Sequence, residues 1–289
     1  MTSQLAAGLL LALASAAALN WGYFVQHGVV SELPPLTLRR PLASLRLLFR
    51  NLRWVAGFSV GIGGWVLYVA ALALAPLSLV QAASAGGIGL LALLASRTAA
   101  LTAWDRRGIA VSVAGLALLG ISLAGSTTSA GGGTWLPVAL WIAVSLAVAA
   151  TAALLLGRRL AGGAGLGIAA GVLYAAGDVA TKAAVPGGSR LAFVPVLLAC
   201  HGLAFVALQL GFQRGGVLAT AGLATLLTNA LPIAAGTTLF GEGLGSLPVV
   251  RVLAFACTVL GAALLARAAP SERETGVTLS PAPRPIPFD

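Results

Sequence analysis

The feature that most constrains this chain is a series of nine apolar segments, each close to twenty residues long. They lie at 4–27, 52–74, 76–97, 106–125, 134–157, 164–184, 191–213, 215–240 and 249–268. A bilayer core about 30 Å thick is crossed by roughly twenty helical residues, and backbone groups in lipid must bond within their own segment. The pattern therefore predicts an all-α polytopic membrane protein with nine to ten transmembrane helices. The count depends on whether 76–102 and 215–240 each form one helix or two.

The positive charges indicate how these segments are oriented. If the N-terminus is outside, 14 of the 17 Lys and Arg residues fall in the inner loops and the tail, and the other three are Lys182, Arg190 and Arg251. Short loops rich in Lys and Arg stay in the cytoplasm. We therefore expect a protein of the cell membrane with its N-terminus outside and its C-terminus in the cytoplasm. The net charge of +10 then suits the anionic lipids of the inner leaflet, and no nucleic-acid partner is expected.

Two segments outside the apolar runs have a composition of their own. Residues 42–53, LASLRLLFRNLR, place Leu and Phe opposite Arg46, Arg50 and Arg53 at helical spacing. This separation is typical of an amphipathic helix that lies on the inner leaflet. The tail at 269–289 contains five prolines and charges of both signs, which predicts a disordered cytoplasmic segment.

The order of the apolar segments indicates an internal repeat. NWGYFVQHG in the first and AAGDVATKA in the sixth each place a glycine five residues before His27 or Lys182. Residues 1–125 contain four segments, 134–157 form a spacer helix, and 164–268 contain four more. Because the spacer is a single helix, the second repeat would cross the membrane in the opposite direction. Inverted repeats are common in secondary transporters, whose substrate path lies between the repeats.

Three stretches carry a family resemblance. WVAGFSVGIGGWVLYVAALALAPLSLVQAASA, DRRGIAVSVAGLALLGIS and ALQLGFQRGGVLATAGLATLLTNALPIAAGTTLFGE resemble the drug/metabolite transporter (EamA-like) superfamily. The first helix ending in NWGYFVQHG, the basic loop after it and the nine segments look most like its NIPA-type magnesium transporter branch. The resemblance covers about residues 4–268. It implies an inverted-repeat fold that moves a small solute by alternating access, with no catalytic residue.

The sequence departs from this family pattern at one helix end. Members of the superfamily often carry an acidic residue where this chain has Arg97, whereas the second repeat keeps Glu242. A magnesium path is expected to offer several oxygen ligands, with carboxylates prominent. Within the apolar segments this chain offers Asp178 and, at a helix end, Glu242. No metal-ligand set can be assigned from the sequence.

Polar and aromatic residues within the apolar segments are the candidates for solute binding. They are Asp178, Lys182, Tyr174, His201, Asn20, Gln81, Gln209, Asn229, Trp65 and Tyr68. An ionised carboxylate in hydrocarbon is costly, so Asp178 should face a cavity or a partner. Helical spacing puts Lys182 on the same face, so the two form either a structural ion pair or part of a cavity wall.

The other candidates have two readings each. Amide side chains can bind a solute or join helices by hydrogen bonds, and an aromatic ring can line a cavity or simply pack. His201 can bond a backbone carbonyl or carry a proton. Pro232 and Gly236 favour a break at mid-membrane, where transporters place solute-binding backbone.

These features favour a secondary transporter of a small molecule or ion over other classes of membrane protein. An intramembrane enzyme would need a nucleophile with a base, or metal ligands, and the sequence has no HExxH motif and no Cys/His cluster. We therefore expect neither enzymatic activity nor a cofactor. A NIPA-type magnesium transporter or channel is one alternative, and a non-transporting accessory protein is another. The sequence leaves open the substrate, the direction of transport, the coupling ion and the oligomeric state, including a homodimer.

Overall fold

The computed structural model describes residues 3–37, 39–84, 87–97, 100–122, 133–155, 160, 162–242 and 247–267, and in them the chain is helical without a β-strand. The helices are α1 Ser3–Val30, α2 Pro41–Phe49, α3 Leu52–Leu74, α4 Leu77–Ser84, α5 Gly87–Ala95, α6 Ala103–Ser122, α7 Trp135–Leu155, α8 Ala164–Ala184, α9 Phe193–Phe212, α10 Leu223–Leu239 and α11 Pro248–Arg267. A 3₁₀ turn, Gly188–Ala192, leads into α9, and a π-helical turn, Leu218–Gly222, leads into α10.

Seven helical segments among the described residues are long and apolar enough to cross a membrane. They are Ser3–Val30, Leu52–Leu74, Trp135–Leu155, Ala164–Ala184, Gly188–Phe212, Leu218–Leu239 and Val249–Ala266. A multi-pass helical membrane protein is therefore confirmed, while a count of nine to ten is not reached. In the segment at 76–97 the described residues form α4 and α5, on either side of residues 85 and 86, and α6 carries Asp105, Arg106 and Arg107 in its first turns.

The described residues bear on one of the two regions whose helix number was left open. Between 215 and 240, α10 follows directly on the π-helical turn, whereas the point between α4 and α5 lies outside the described residues. The expected break at Pro232 is absent, because α10 runs through this residue to Leu239. A proline removes one N–H from the helical ladder, and packing against neighbouring helices keeps such a helix continuous in a membrane. Here α10 packs against α8 and α4.

The amphipathic segment is also divided. The sequence predicts one helix over 42–53, but α2 ends at Phe49 and α3 begins at Leu52. Asn51 explains the division, since its side-chain oxygen accepts the backbone N–H of Trp54 at 3.1 Å and so caps the start of α3. The tail predicted to be disordered, 269–289, lies outside the described residues.

Close antiparallel and parallel helix pairs build the bundle. α1 packs against α3, α6 against α11, and α8 against α7, α9 and α10. Small residues allow this approach: a Cβ added to Gly22 of α1 would lie 2.7 Å from the carbonyl oxygen of Gly57 in α3. A Cβ added to Gly167 of α8 would lie 2.5 Å from the carbonyl oxygen of Thr220. Almost every residue of α8 is buried, which makes it the central helix.

Polar contacts fix the two ends of the bundle, which we name after His27 and Lys182. At the His27 end, His27 Nε2 lies 3.3 Å from the carbonyl oxygen of Gly215. At the Lys182 end, Lys182 Nζ lies 3.9 Å from Glu242 Oε1. The first helix, α1, runs towards the His27 end and α8 runs away from it, so the two helices have opposite directions.

The loop after α1 is held at the His27 end by a single side chain. Gln213, directly after α9, accepts the N–H of Leu36 at 2.7 Å and donates to the carbonyl oxygen of Pro34 at 3.0 Å. Its amide nitrogen also approaches the carbonyl oxygens of Val30 and Leu33. This Gln213 clasp satisfies backbone groups that have no partner in a regular helix or sheet.

Candidate functional site

A cavity of about 420 Å³ lies between α1, α3 and α4 on one side and α8, α9 and α10 on the other. Its volume falls in the range of small-molecule sites. Eight of the ten residues proposed from the sequence line it: Asn20, Trp65, Tyr68, Gln81, Tyr174, Asp178, His201 and Asn229. Lys182 and Gln209 do not line it.

Asp178 forms the polar centre of the cavity wall. It is 4% exposed and is the single acidic side chain among the described lining residues. Its Oδ2 accepts a hydrogen bond from Gln81 Nε2 at 3.0 Å, and the same nitrogen lies 2.7 Å from the Tyr68 hydroxyl. The Tyr68 hydroxyl is also hydrogen-bonded to Asp178. Donors from α3 and α4 thus converge on a carboxylate of α8, as a buried charge requires.

His201 of α9 lies on the other side of the carboxylate. Its Nε2 is 3.5 Å from Asp178 Oδ1, and its Nδ1 is 2.9 Å from the carbonyl oxygen of Leu197. The ring meets Trp65 and Tyr174 edge-on, with centroids 5.9 and 5.7 Å away. Gly177 makes room for this ring, because a Cβ there would fall on His201 Nδ1. A glycine beside Asp178 therefore permits the contact between α8 and α9.

The two asparagines of the cavity wall have different hydrogen bonds. Asn20 donates to the carbonyl oxygen of Ala16 at 2.9 Å, and its Oδ1 accepts from the Thr225 hydroxyl at 3.2 Å, which joins α1 to α10. Asn229 donates to the carbonyl oxygen of Thr225 at 2.7 Å, within its own helix. The helix-joining reading therefore applies to Asn20.

Lys182 is paired differently from the sequence expectation. Its partner is Glu242, and the two belong to the end of the bundle rather than to the cavity. The i to i+4 spacing places Lys182 and Asp178 on one helix face, but it does not set which carboxylate the long side chain reaches. Lys182 is near the last turn of α8, where Glu242 and the start of α4 meet it.

Gln209 is likewise occupied between helices. Its Oε1 accepts the indole N–H of Trp54 at 3.2 Å, and its amide nitrogen donates to Gln26 Oε1 at 2.6 Å. It lies two turns along α9 from His201, towards the His27 end. Gln209 therefore links α9 to α3 and α1, which is the helix-joining reading of an intramembrane amide.

An aromatic wall was missed by the sequence analysis. Phe58 stacks on Trp54 and meets Phe205 edge-on, and both phenylalanines line the cavity. Helical spacing could have found this wall. Phe58, Gly61, Ile62 and Trp65 have the spacing i, i+3, i+4 and i+7, which places them on one face of α3.

A comparison with curated proteins gives one partial likeness. Over 122 residues the chain is 34% identical to the protein named "Probable magnesium transporter NIPA9" of Arabidopsis thaliana. The likeness covers 42% of this chain and 34% of that protein, so the chain spans about a third of the length of the relative that it matches. No protein-family model matches the chain, and no solved structure does.

Two chemical signatures bear on what the cavity can do. Among the described residues, no three His, Cys, Asp or Glu side chains come together as a metal site would require. GFSVG, at 57–61, has the GxSxG spacing of a hydrolase nucleophile elbow, but it lies inside α3 with Ser59 exposed. An elbow needs a turn from strand to helix. The arrangement around Asp178 instead suits binding of a positive or hydrogen-bond-donating group beside aromatic rings.

Proposed function

We propose that the chain is a secondary transporter that carries a small solute across the cell membrane by alternating access. The observation that carries this proposal is the cavity, which contains one buried carboxylate and lies between the helices of the first and the second half of the chain. Secondary transporters place their substrate site between two such halves. A cavity wall with donors around Asp178 and aromatic rings beside it suits a solute with an apolar body and one cationic group.

The packing pattern supports the inverted repeat of the drug/metabolite transporter superfamily. In the first half α1 pairs with α3, and in the second half α8 pairs with α9. The leading helices α1 and α8 run in opposite directions, and the closing helices α6 and α11 pack on each other. On this proposal α7 is the spacer that inverts the second half, at 164–268, relative to the first, at 1–125.

Magnesium transport is a second candidate, favoured by the likeness to the Arabidopsis protein. Mg²⁺ commonly keeps several of its waters and binds through one or two carboxylates. Asp178, with the oxygens of Tyr68 and Gln81 beside it, would then contact the water shell of the ion. The single carboxylate of the described cavity wall favours the organic solute over the divalent ion.

The test uses the full chain, purified and reconstituted in liposomes. A thermal-shift screen against amino acids, nucleosides, organic cations and Mg²⁺ identifies ligands, because binding to the folded state raises its apparent stability. Saturable uptake of a hit is then measured, with an internal Mg²⁺-sensitive dye for the ion. We expect Asp178→Asn to abolish uptake. Asp105→Asn is the control, since Asp105 caps α6 outside the cavity.

Three outcomes decide between the candidates. Saturable uptake of an organic solute supports the first proposal, and saturable uptake of Mg²⁺ alone replaces it with the second. Single-channel currents would indicate a pore and contradict alternating access. A protein that binds none of the compounds and moves none of them is not a transporter of these solutes.

A further inference from the structure

We propose that Asp178 and His201 hold one proton between them, and that a cationic group entering the cavity displaces this proton. The first part stands on the contact geometry alone. The second part rests on the proposed function, because it assigns the proton as the ion exchanged for the solute.

The position of one proton follows from the contact with Leu197. A carbonyl oxygen can only accept a hydrogen bond, so His201 Nδ1, 2.9 Å away, carries a hydrogen. In a neutral imidazole the other ring nitrogen is then unprotonated. That nitrogen, Nε2, lies 3.5 Å from Asp178 Oδ1.

A contact of this kind requires a further proton. A bare Nε2 lone pair and an ionised carboxylate at this separation would repel each other, in a wall where the Asp178 side chain is 5% exposed and the His201 side chain is 17% exposed. Either His201 is an imidazolium beside Asp178 carboxylate, or Asp178 is a carboxylic acid that faces a neutral ring. In both cases the pair contains one proton besides that on Nδ1 and has no net charge.

The groups around Asp178 indicate that this proton belongs to the Asp178–His201 pair. The titratable side chains that face Asp178 are Tyr23 from α1, Tyr68 from α3, Tyr174 from α8 itself and His201 from α9. Gln81 of α4 donates an amide hydrogen, while the sequences of α7 and α10 contain no titratable residue. Among the described lining residues there is no Lys or Arg. Among these described groups, His201 is therefore the base that shares the proton with the Asp178 carboxylate.

Charge balance gives the exchange its stoichiometry. The protonated pair is neutral, and a net charge within an apolar wall is costly. A solute with one positive charge keeps the cavity neutral if one proton leaves as it enters. A divalent ion entering in exchange for one proton would leave an excess positive charge.

Nitrogen-15 NMR of histidine tests the shared proton directly. The chain has two histidines, His27 and His201, so the full-length protein labelled at histidine gives two imidazole signals, assigned with His27→Gln. We expect His201 Nδ1 to carry a hydrogen, and we expect the Nε2 signal to change in Asp178→Asn, because that substitution removes the carboxylate that shares the second proton. The His27 signal should not move with that substitution.

Two results would overturn the shared proton. One is a neutral His201 that carries its hydrogen on Nε2, which is read from the unaltered protein and does not depend on any variant folding. The other is a His201 Nε2 signal that is unchanged in a folded Asp178→Asn protein.

Proton release tests the exchange. Benzyltrimethylammonium has one fixed positive charge and no titratable group, so any proton that appears when it binds comes from the protein. In weakly buffered solution with a pH-sensitive dye, we expect close to one proton per bound cation from the unaltered chain and none from the double variant Asp178→Asn with His201→Gln, which lacks both groups that can hold the proton. His27→Gln, with the same change at the His27 end, should behave like the unaltered chain.

The outcomes separate this inference from the proposed function. No binding of the cation, or binding without proton release, refutes the exchange even if NMR finds the shared proton. Saturable solute uptake that is independent of a pH gradient also refutes the exchange while transport stands. A shared proton in a protein that transports nothing refutes the transporter alone.

Discussion

Lys182 Nζ lies 3.9 Å from Glu242 Oε1, and that oxygen also accepts the backbone N–H of Leu77 at 2.8 Å. One buried carboxylate thus joins the end of α8, the segment after α10 and the start of α4. The N–H groups of a first helical turn have no partner within their helix and carry a partial positive charge. Glu242 satisfies one of them while it balances the ammonium group of Lys182.

This relationship predicts the result of a double-mutant cycle. Lys182→Met and Glu242→Gln should be coupled by about 1 kcal/mol or more, because they remove the two partners of one contact. Lys182→Met and Asp178→Asn should add to within about 0.5 kcal/mol, since each residue has a different partner. Unfolding of the purified protein in a mixed-micelle denaturation series measures both. Strong coupling between Lys182 and Asp178 would contradict the assignment of the ion pairs.

Gly177 and Gly202 give a matched pair of substitutions near His201. Gly177→Ala should displace the imidazole, because the added methyl group would fall on Nδ1. We expect loss of solute uptake and a changed His201 NMR signal. Gly202→Ala adds the same group to the same cavity wall with nothing within 4 Å, so it should leave both unchanged. Equal effects from the two substitutions would mean that the site does not depend on the position of the ring.

Substitutions of Gln81 and Gln209 should have different effects, the first on solute binding and the second on the stability of the protein. Gln209→Leu leaves the indole N–H of Trp54 and the Gln26 side chain without a partner, which should cost about 1–3 kcal/mol in unfolding free energy. Its effect on solute affinity should be small, since Gln209 does not line the cavity. Gln81→Leu removes a donor to Asp178 and should weaken binding strongly. Thermal unfolding and ligand titration of both variants provide the measurements, and weaker binding by Gln209→Leu alone would reverse the two roles.

The pairing at the site shows what sequence reasoning could and could not supply. Hydropathy identified Asp178 and His201 as costly groups in apolar segments, and both line the cavity. Their contact depends on how α8 packs against α9 and on the space at Gly177, neither of which a single-helix pattern contains. The same limit explains Lys182, because helical spacing reports a shared face but not a carboxylate brought in from another helix.

The helix count shows the same limit for the fold. A window of residues cannot show where a helix begins and ends, so 42–53 reads as a single helix although α2 ends at Phe49 and α3 begins at Leu52. Conversely, Pro232 marks a break by its chemistry, yet the packing of α10 keeps that helix continuous. Composition and charge thus predict the class of the protein, while the course of individual helices depends on their neighbours.

Orientation is predicted by the distribution of positive charge. The 14 to 3 split of Lys and Arg places the N-terminus outside and the C-terminus in the cytoplasm. Alkaline phosphatase fused after residue 130 should be active, because the enzyme folds only outside the cytoplasm, and the same enzyme fused after residue 268 should be inactive. The reverse result would overturn the orientation, and a green fluorescent protein fusion at each site provides the opposite readout.

The amphipathic segment is predicted to hold anionic lipid. Leu42 is 80% exposed and Leu52 is 82% exposed. Arg46 lies in α2, Arg50 directly after it and Arg53 at the start of α3. Changing the three arginines to Glu should weaken vesicle binding of a peptide covering 39–53 by about 1 kcal/mol per residue with anionic lipid and little with neutral lipid. Equal binding to both lipids by the unaltered peptide would exclude an electrostatic role.

The Gln213 clasp has a consequence for how the protein is made. Gln213 is 177 residues further along the chain than Leu36, whose N–H it accepts. At a synthesis rate of about 5–20 residues per second, the loop after α1 exists for roughly 9–35 seconds before its partner leaves the ribosome. During that time its backbone groups need water, because lipid offers them no hydrogen bonds. The loop therefore belongs at the membrane surface from the moment of its synthesis, and the arrival of α9 closes a structure that the first half of the chain cannot complete alone.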